Sequence, residues 1–334
     1  MGLIYTNSYN PDVGIFEEGY LNDCSVDIEI GTVLSEARND AEFIVRMQDN
    51  TIRKGCLIYD ESGSEVGGYV YGIKVNTSSN EVTLKCKLWR GMLMDHIIRP
   101  PASEDYFVFD GDANDVLSAM LGDGYDGLIV ASKKKSGIYI SGKARYQDIL
   151  SVYENALANV GAKINITFYG NKAICEAVPI RDLSEEIHID NDYGIPISAE
   201  DCDNGYNHII ALGQGELKER QVYELWMMPN GVITDDTKLE KPSGIALRTF
   251  VYDYPSAESY DELKKGAFDK LLEISPSKKL EIEQGNIDAE VGDIVSAEER
   301  ITGIYMKKQI TRKIIKGDIK NGVYFLKTEL KVGD

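Results

Sequence analysis

The chain has 334 residues, 27% of them charged and 43% hydrophobic, with 36 basic against 55 acidic side chains and a formal net charge of -19. That composition is globular, which excludes disorder as the default, and the length suffices for two or three domains of roughly 100 to 200 residues. The acidic excess opposes sequence-specific reading of nucleic acid, which needs Lys and Arg against phosphates, and the basic clusters at 133–135 and 307–316 are small exceptions.

Residues 1–24 mix Gly, Asn, Pro and Asp with a few aromatics and read as a first strand and loops; with neither a basic stretch nor a long apolar core at the start, a soluble chain without membrane anchor, made in a cytoplasm, is expected. Val26, Ile28 and Ile30 alternate with Asp27 and Glu29, marking a strand, and 43–47 is another. Gly55-Cys-Leu-Ile-Tyr, a turn over 60–68, a run at 69–75, a polar turn at 76–80 and a run at 81–90 make a meander that ends in Gly91. In its last strand Val82, Leu84, Cys86 and Leu88 alternate with Thr83, Lys85 and Lys87, an apolar face backed by a polar one. The stretch 92–98 stops at Pro100-Pro101, which predicts a domain boundary.

From 107 to 183 the character changes. Asp112-Ala-Asn-Asp-Val-Leu-Ser-Ala-Met-Leu places acids in a first helical turn, with Val116, Leu117, Met120 and Leu121 at helical spacing and Gly122 as the stop. Short strands at 128–131 and 138–140 follow. Ser141 is then the expected cap of a helix through Tyr146, Ile149, Leu150, Tyr153, Leu157 and Val160, ended by Gly161. The runs 163–169 and 172–178 around Gly170-Asn171 form a hairpin, so this segment is an inserted α+β module.

The region 182–203 is rich in carboxylates and reads as strand fragments and loops. His208-Ile-Ile-Ala-Leu and 221–228 are two strands joined by a turn bearing Gly213 and Gly215, and a polar excursion runs from Pro229-Asn230-Gly231 to Gly244. A helix over 259–272 starts with the capping box Ser259 and Glu262 and turns Tyr260, Leu263, Ala267, Phe268 and Leu271 to one side. Strand residues Leu280 and Ile282 precede a second meander: Gly292-Asp-Ile-Val, a charged turn at 298–300, a run at 304–315, Asn321-Gly322, and 323–332, where Tyr324, Leu326, Thr328 and Leu330 alternate with Phe325, Lys327, Glu329 and Lys331. The order of strands and turns matches the first meander although the letters do not. The chain therefore reads as α+β, mainly β, with two similar small β-barrels and the inserted module.

Chemistry finds few footholds. Asp110, Asp112 and Asn114 copy the first spacings of a calcium loop, but Asp115 stands where Gly is needed and Leu121 where Glu is, so helix capping explains them. Asp190-x-Asp192-x-Gly194 and Asp201-x-Asp203-x-Gly205 suit a weak cation site or a polar turn alike. Gly213-x-Gly215 leads into a strand instead of a helix, which is a hairpin turn and no dinucleotide fingerprint. With His96, His188 and His208 the only histidines and no nucleophile motif present, no catalytic, cofactor or metal residue is assigned and no enzyme is expected. Cys24, Cys56, Cys86, Cys175 and Cys202 lack close spacing and read as reduced thiols. Trp226-Met227-Met228, an apolar cluster beside a polar loop, is either a strand end buried in its own domain or a subunit contact, and these three are the candidate interface residues.

Several stretches together give the chain its resemblance: Phe109-Asp-Gly-Asp-Ala-Asn-Asp-Val-Leu, the helix and hairpin over 144–178, His208-Ile-Ile-Ala-Leu-Gly-Gln-Gly-Glu with Arg220, the helix over 259–272, and Val291-Gly-Asp-Ile-Val with its closing meander. In this order the chain resembles the baseplate hub family of phage tails, including the N-terminal hub region of tail-associated proteins of long-tailed phages and the T-even type of central hub. The resemblance implies 1–99 as a first β-barrel tube domain completed by part of 185–245, 100–184 as the inserted module, 185–245 as a β-rich connector, and 246–334 as a second tube domain.

It further implies a homotrimer whose six barrels form a ring between a sixfold tail tube and a threefold spike or fibre. A tube or distal tail protein, a spike or fibre protein and a tape measure protein would be its partners, in a virion tail tip assembled in a bacterial host. DNA would only pass through the ring, repelled by acidic side chains on its wall within roughly 8 to 10 Å at physiological salt. Any cell-wall-cutting activity is expected on another protein. The alternatives are a carbohydrate-binding or glycan-hydrolysing tail module, for which the 20 tyrosines supply aromatic surface, and a cytoplasmic scaffold unrelated to phage.

Overall fold

The computed structural model describes residues 2–35, 37–47, 51–185, 188–190, 197–201, 205–228, 232–236, 238–275, 278–284, 289–299 and 304–332. The strands of the N-terminal part are β1 (Leu3–Ser8), β2 (Glu17–Tyr20), β3 (Cys24–Gly31), β4 (Asp40–Arg46), β5 (Cys56–Asp60), β6 (Gly67–Asn76) and β7 (Glu81–Leu88), followed by helix α1 (Trp89–Met94) and β8 (Ile97–Ile98). The middle holds β9 (Phe107–Asp112), α2 (Ala113–Leu121), β10 (Ile129–Ala131), β11 (Tyr139–Ala144), β12 (Gln147–Asp148), α3 (Ile149–Ala158), β13 (Ala162–Tyr169) and β14 (Lys172–Pro179). Then come β15 (His188–Asp190), β16 (Ile197–Asp201), β17 (His208–Leu212), β18 (Val222–Met227), β19 (Ile233–Thr234), β20 (Thr249–Asp253), α4 (Tyr260–Ile274), β21 (Lys278–Gln284), β22 (Ile294–Glu299), β23 (Ile304–Lys320) and β24 (Val323–Val332). The chain is α+β and mainly β. It divides into two units, one of Met1–Ser198 with Leu280–Gly333 and one of Ala199–Lys279.

The two meanders share one thirteen-stranded sheet, ordered β16-β21-β24-β23-β3-β4-β7-β6-β5-β1-β2, with β22 beside β23 and β15 beside β22. The join is antiparallel pairing of β3 with β23, running from Gly31 opposite Arg312 to Cys24 opposite Ile319. Period-two alternation explains the strands: Val26, Ile28 and Ile30 on β3, Ala41, Phe43 and Val45 on β4, and Val82, Leu84, Cys86 and Leu88 on β7 are all buried on one side. The hairpin between β23 and β24 turns at Asn321 and Gly322, whose φ angles of 51° and 72° are the two positive values a tight hairpin turn with matching twist requires. Within β23, Gly317 has φ 146°, and a Cβ there would strike the Phe325 carbonyl oxygen across the ladder.

The module between the meanders shares a core with the first of them. Leu57, Tyr59, Trp89 and Leu93 pack in one cluster with Leu117, Leu150, Tyr153 and Phe168, and the Phe168 ring lies 5.3 Å from Trp89 and 4.2 Å from Tyr59. Asp112 caps α2 through the Asn114 amide and also accepts from the Ser136 and Gly137 amides, which hold its carboxyl below the usual range against the effect of burial. Two expectations change. The helix expected from Ser141 begins at Ile149 and is capped by Asp148, which accepts from the Ser151 amide, while Ser141 lies in β11 paired with Asp110. The strand expected through Arg90 ends at Leu88, and 89–94 is helical because that turn places Trp89, Arg90 and Leu93 together inside. The acidic pairs proposed as cation loops include Asp192 and Asp203, which lie outside the described residues. Among the described residues no group of three His, Cys, Asp or Glu could hold a metal ion, and no helix is long and apolar enough to cross a membrane. Cys24, Cys56, Cys86 and Cys175 are free and buried, burial pushing the Cys24 thiol up to about 12; Cys202 lies outside the described residues.

Two buried ionic clusters tie this unit together. Arg90, with 2% of its side chain exposed, binds the carboxylates of Glu65 and Glu154 and donates to the Ile164 carbonyl at 3.3 Å. Glu154 in turn accepts from the Val33 amide at 2.8 Å. Asp293, fully buried, meets Lys163 Nζ and Arg181 Nη2, each at 2.6 Å, and accepts from the Glu290 amide at 3.0 Å. Burial alone would raise the Asp293 carboxyl, but Arg181 and Lys163 hold it below the usual range.

The second unit is a four-stranded sheet, β19-β18-β17-β20, in which β17 runs antiparallel to β18 and parallel to β20. Leu263, Ala267 and Leu271 of α4 cover its face of Ile209, Ala211 and Leu225. Ser259 caps α4 through the Glu262 amide, and Glu262 reaches back to the Glu258 amide at 2.8 Å, a capping box shifted by one residue on its return arm. Arg220 closes the turn after β17, donating to the Gly213 carbonyl at 3.2 Å and pairing with Asp253. On the other face His208 stacks on Trp226 at 4.5 Å, its Nδ1 2.9 Å from Thr249 Oγ1 and its Nε2 3.3 Å from Glu224 Oε2. Burial lowers the His208 imidazole below its ordinary value, outweighing the Glu224 carboxylate.

Two outcomes follow from these contacts. Arg90→Met leaves the largely buried Glu65 and Glu154 without their cation and is expected to cost about 3 to 5 kcal/mol; a urea midpoint equal to wild type would contradict it. Because the fold favours neutral His208, its contribution is whole above the unfolded value of about 6.5 and is lost as pH falls through the lowered folded value. The stability of wild type relative to His208→Gln, measured by denaturant titration, is therefore expected to shrink between about pH 7.5 and 5, and a constant difference would refute the assignment.

Candidate assembly surfaces

The polar side of the large sheet is continuous across the join of β3 and β23. Register places Lys327, Lys316, Asp27, Glu42 and Lys85 in one row across five strands. The neighbouring row holds Glu329, Ile314, Glu29, Asp40 and Lys87. Each row has acids on β3 and β4 and a cation on β7. Lys316 reaches Asp27 at 3.2 Å and Lys85 reaches Glu42 at 3.4 Å, while Glu29 receives Arg38 at 2.8 Å and Arg312 at 3.4 Å. The Asp40 carboxyl is raised by burial, with Glu29 and Glu42 adding to the effect against Arg38 and Lys87. The exposed pairs among these, Lys316 with Asp27 and Lys85 with Glu42, are worth only about 0 to 1 kcal/mol each. Their combined effect is a face on which neither sign of charge runs unopposed.

The three candidate interface residues separate across β18. Met227 packs with the core beneath α4. Trp226, its neighbour in the strand, is on the opposite face, half-buried between His208 and Lys241, whose Nζ is 3.2 Å from the ring centroid. Met228 is half-buried just past the strand end, its amide donating to the Val232 carbonyl. The outer side of this sheet also carries Val222 and Val251, both exposed. Sequence reading missed the charge rows, whose signal is the acidic off-phase of β3 and β4 beside the basic off-phase of β7 and β23. It also missed the cation over Trp226, which sits in a loop that no local pattern ties to the strand.

The cavities add little chemistry. One of about 50 Å³ is lined by Arg90, Glu154, Lys163 and Gln309, and its charged groups are already paired with one another or with Asp293 and Glu65. Another of about 210 Å³ lies among Tyr5, Tyr20, Asp23 and Arg46. Neither brings together a nucleophile and a base.

No known protein family profile matches the sequence, and no curated protein matches it. Solved structures do. A tail protein from Neisseria meningitidis MC58 is similar over 100% of this chain and 97% of its own length, with a TM-score of 0.56 at 13% identity. A prophage tail protein from Listeria monocytogenes EGD-e gives 99%, 94%, 0.54 and 13% for the same quantities. A 43 kDa tail protein of prophage MuSo2 from Shewanella oneidensis gives 100%, 98%, 0.59 and 10%. With identities this low the likeness is one of architecture, and the chain has the fold of these phage tail proteins along its whole length.

Proposed function

We propose that the chain is a structural subunit of a phage or prophage tail, a baseplate hub that closes into a trimeric ring between a sixfold tail tube and a threefold spike or fibre, with DNA passing through its channel. The observation that carries this reading is the pairing of β3 with β23, which sets the two meanders side by side in one sheet. Two like sheet segments per chain give a threefold assembly six comparable wall segments, which is what a junction between sixfold and threefold parts requires. The end-to-end likeness to prophage tail proteins supports the same reading.

The division into two barrel tube domains, an inserted module and a connector belongs to this proposal, as do the tube, spike and tape measure partners and a place in the virion tail tip. Trp226 and Met228 remain candidates for a subunit contact, with Met227 acting from beneath through the core. The channel function suits the compensated face of the large sheet. DNA held by a protein releases counterions from phosphates matched by unpaired Lys and Arg, and here Lys85 of β7 and Lys316 of β23 are already opposed by Glu42 and Asp27. The excess negative charge elsewhere on the chain then repels the duplex within roughly a Debye length. No catalytic step is assigned to the chain.

Electron cryomicroscopy of tail particles carrying a peptide-tagged copy of this chain tests the proposal. Three tagged copies are expected at the tip junction, around a channel wide enough for duplex DNA. Label along the tail shaft, or a ring of another order, would overturn it.

A further inference from the structure

The β9 and β11 ribbon sends Phe109, Ile140 and Ala144 into the core and leaves Tyr106, Val108, Lys143 and Arg145 on its other face, since register sets Lys143 against Val108 and side chains alternate along a strand. Lys143 Nζ lies 4.6 Å over the Tyr106 ring, and the Arg145 guanidinium is 5.9 Å from Tyr106 and 5.7 Å from Tyr146. Val108 is 72% exposed and Tyr146 64%. Tyr146 has φ 53°, a left-handed backbone uncommon for a bulky residue, and its amide N–H donates a hydrogen bond to the Ile98 carbonyl at 3.0 Å. In a chain with nineteen more acids than bases, these two cations lie over tyrosine rings and, among the described residues, in no ion pair. Fixed exposed Tyr and Arg are the residue types that anchor contacts between proteins.

The complementary surface is on the same chain. Residues 1–37 contain seven Asp and Glu and no Lys or Arg. The β1 and β2 hairpin forms the free edge of the large sheet, and around its turn Val13 and Phe16 are each 59% exposed. Asp12 and Glu18 are exposed beside them and, among the described residues, in no ion pair. Acids on a short edge strand discourage pairing with another such edge. They also attract a basic surface.

We propose that these two patches are the halves of one head-to-tail contact between copies of this chain: the hairpin of one copy, through Asp12, Val13, Phe16 and Glu18, seats against Val108, Lys143, Arg145 and Tyr146 of the next. The contact is heterologous, so it propagates around a ring when the rotation between copies closes. It rests on the ring reading above and names the surfaces that would build it.

Sedimentation equilibrium of the full chain, with charge reversals on each side, tests the contact. Glu17 is left untouched because it accepts from the Tyr59 hydroxyl at 2.9 Å. Lys143→Glu with Arg145→Glu, and separately Asp12→Lys with Glu18→Lys, are each expected to weaken self-association about tenfold or more, as like charges replace opposite ones. The chain carrying all four reversals is expected to recover it, and wild-type association is expected to fall between roughly 0.05 and 0.5 M salt. Circular dichroism melts of each variant verify folding. A wild-type chain that stays monomeric up to about 1 mM overturns both this contact and assembly by the chain alone. Association that is indifferent to either reversal, or weakened without rescue in the fourfold variant, overturns this contact and leaves the ring reading standing.

Discussion

The pairing of β3 with β23 is the constraint on which the rest of the large unit depends. It joins residues nearly three hundred positions apart, Ser25 Oγ donating to Asp318 at 2.8 Å in one of its cross-strand bonds. One face of the join is apolar through Val26, Ile28, Ile315 and Ile319, and the other is charged through Asp27, Glu29, Lys316 and Arg312. A slip of one residue would exchange these faces, turning charged side chains to the core and aliphatic ones out of it, so the register is strongly specified. Contacts of such sequence separation also form late, because closure entropy must be met before they contribute.

The local elements were legible in the sequence because their signals are local. Asn321-Gly322 marks the last hairpin, Asp112 and Gly122 bracket α2, and Ser259 with Glu262 opens α4, each through a backbone requirement that few residues satisfy. What stayed hidden is what depends on distant partners. No spacing identifies β23 as the neighbour of β3, since alternation specifies a face and not a partner strand. The shift of a helix start from Ser141 to Asp148 has the same origin: both residues can cap, and the pairing of 139–144 with β9 decides between them. The turn into α1 was hidden because Trp89-Arg90-Gly91-Met92 is too short for its period to declare itself, and the driving interaction is with Glu65 and Glu154.

Those residues also explain why the candidate surfaces were harder to read than the folds that present them. The stretches that give the chain its likeness to a known family are largely occupied with their own backbone. Asp112 holds the amides of 114, 136 and 137, Arg220 fastens the turn after β17, and Asp293 anchors the second meander to Lys163 and Arg181. A polar group already committed to buried partners is costly to replace and has little left to offer a ligand. Such residues therefore mark architecture. Groups free to meet another molecule are those with unspent charge or apolar area, such as Lys143, Arg145, Glu18 and Phe16, and they lie where no motif draws attention to them.

The distribution of charge follows from the same distinction. Where cations and acids share rows on the large sheet they cancel locally, so that face adds little to the field of the molecule. The net charge of -19 must then be concentrated on the remaining surface, which includes the N-terminal hairpin with its acids and no bases. A repulsive molecule can associate with itself only where that surplus is interrupted, and the ribbon of β9 and β11 is such an interruption: two cations carried on tyrosine rings, beside an exposed valine. In the ring proposed above, cancellation on the broad face and complementarity confined to a small one would keep self-assembly and the passage of DNA from competing for the same basic residues.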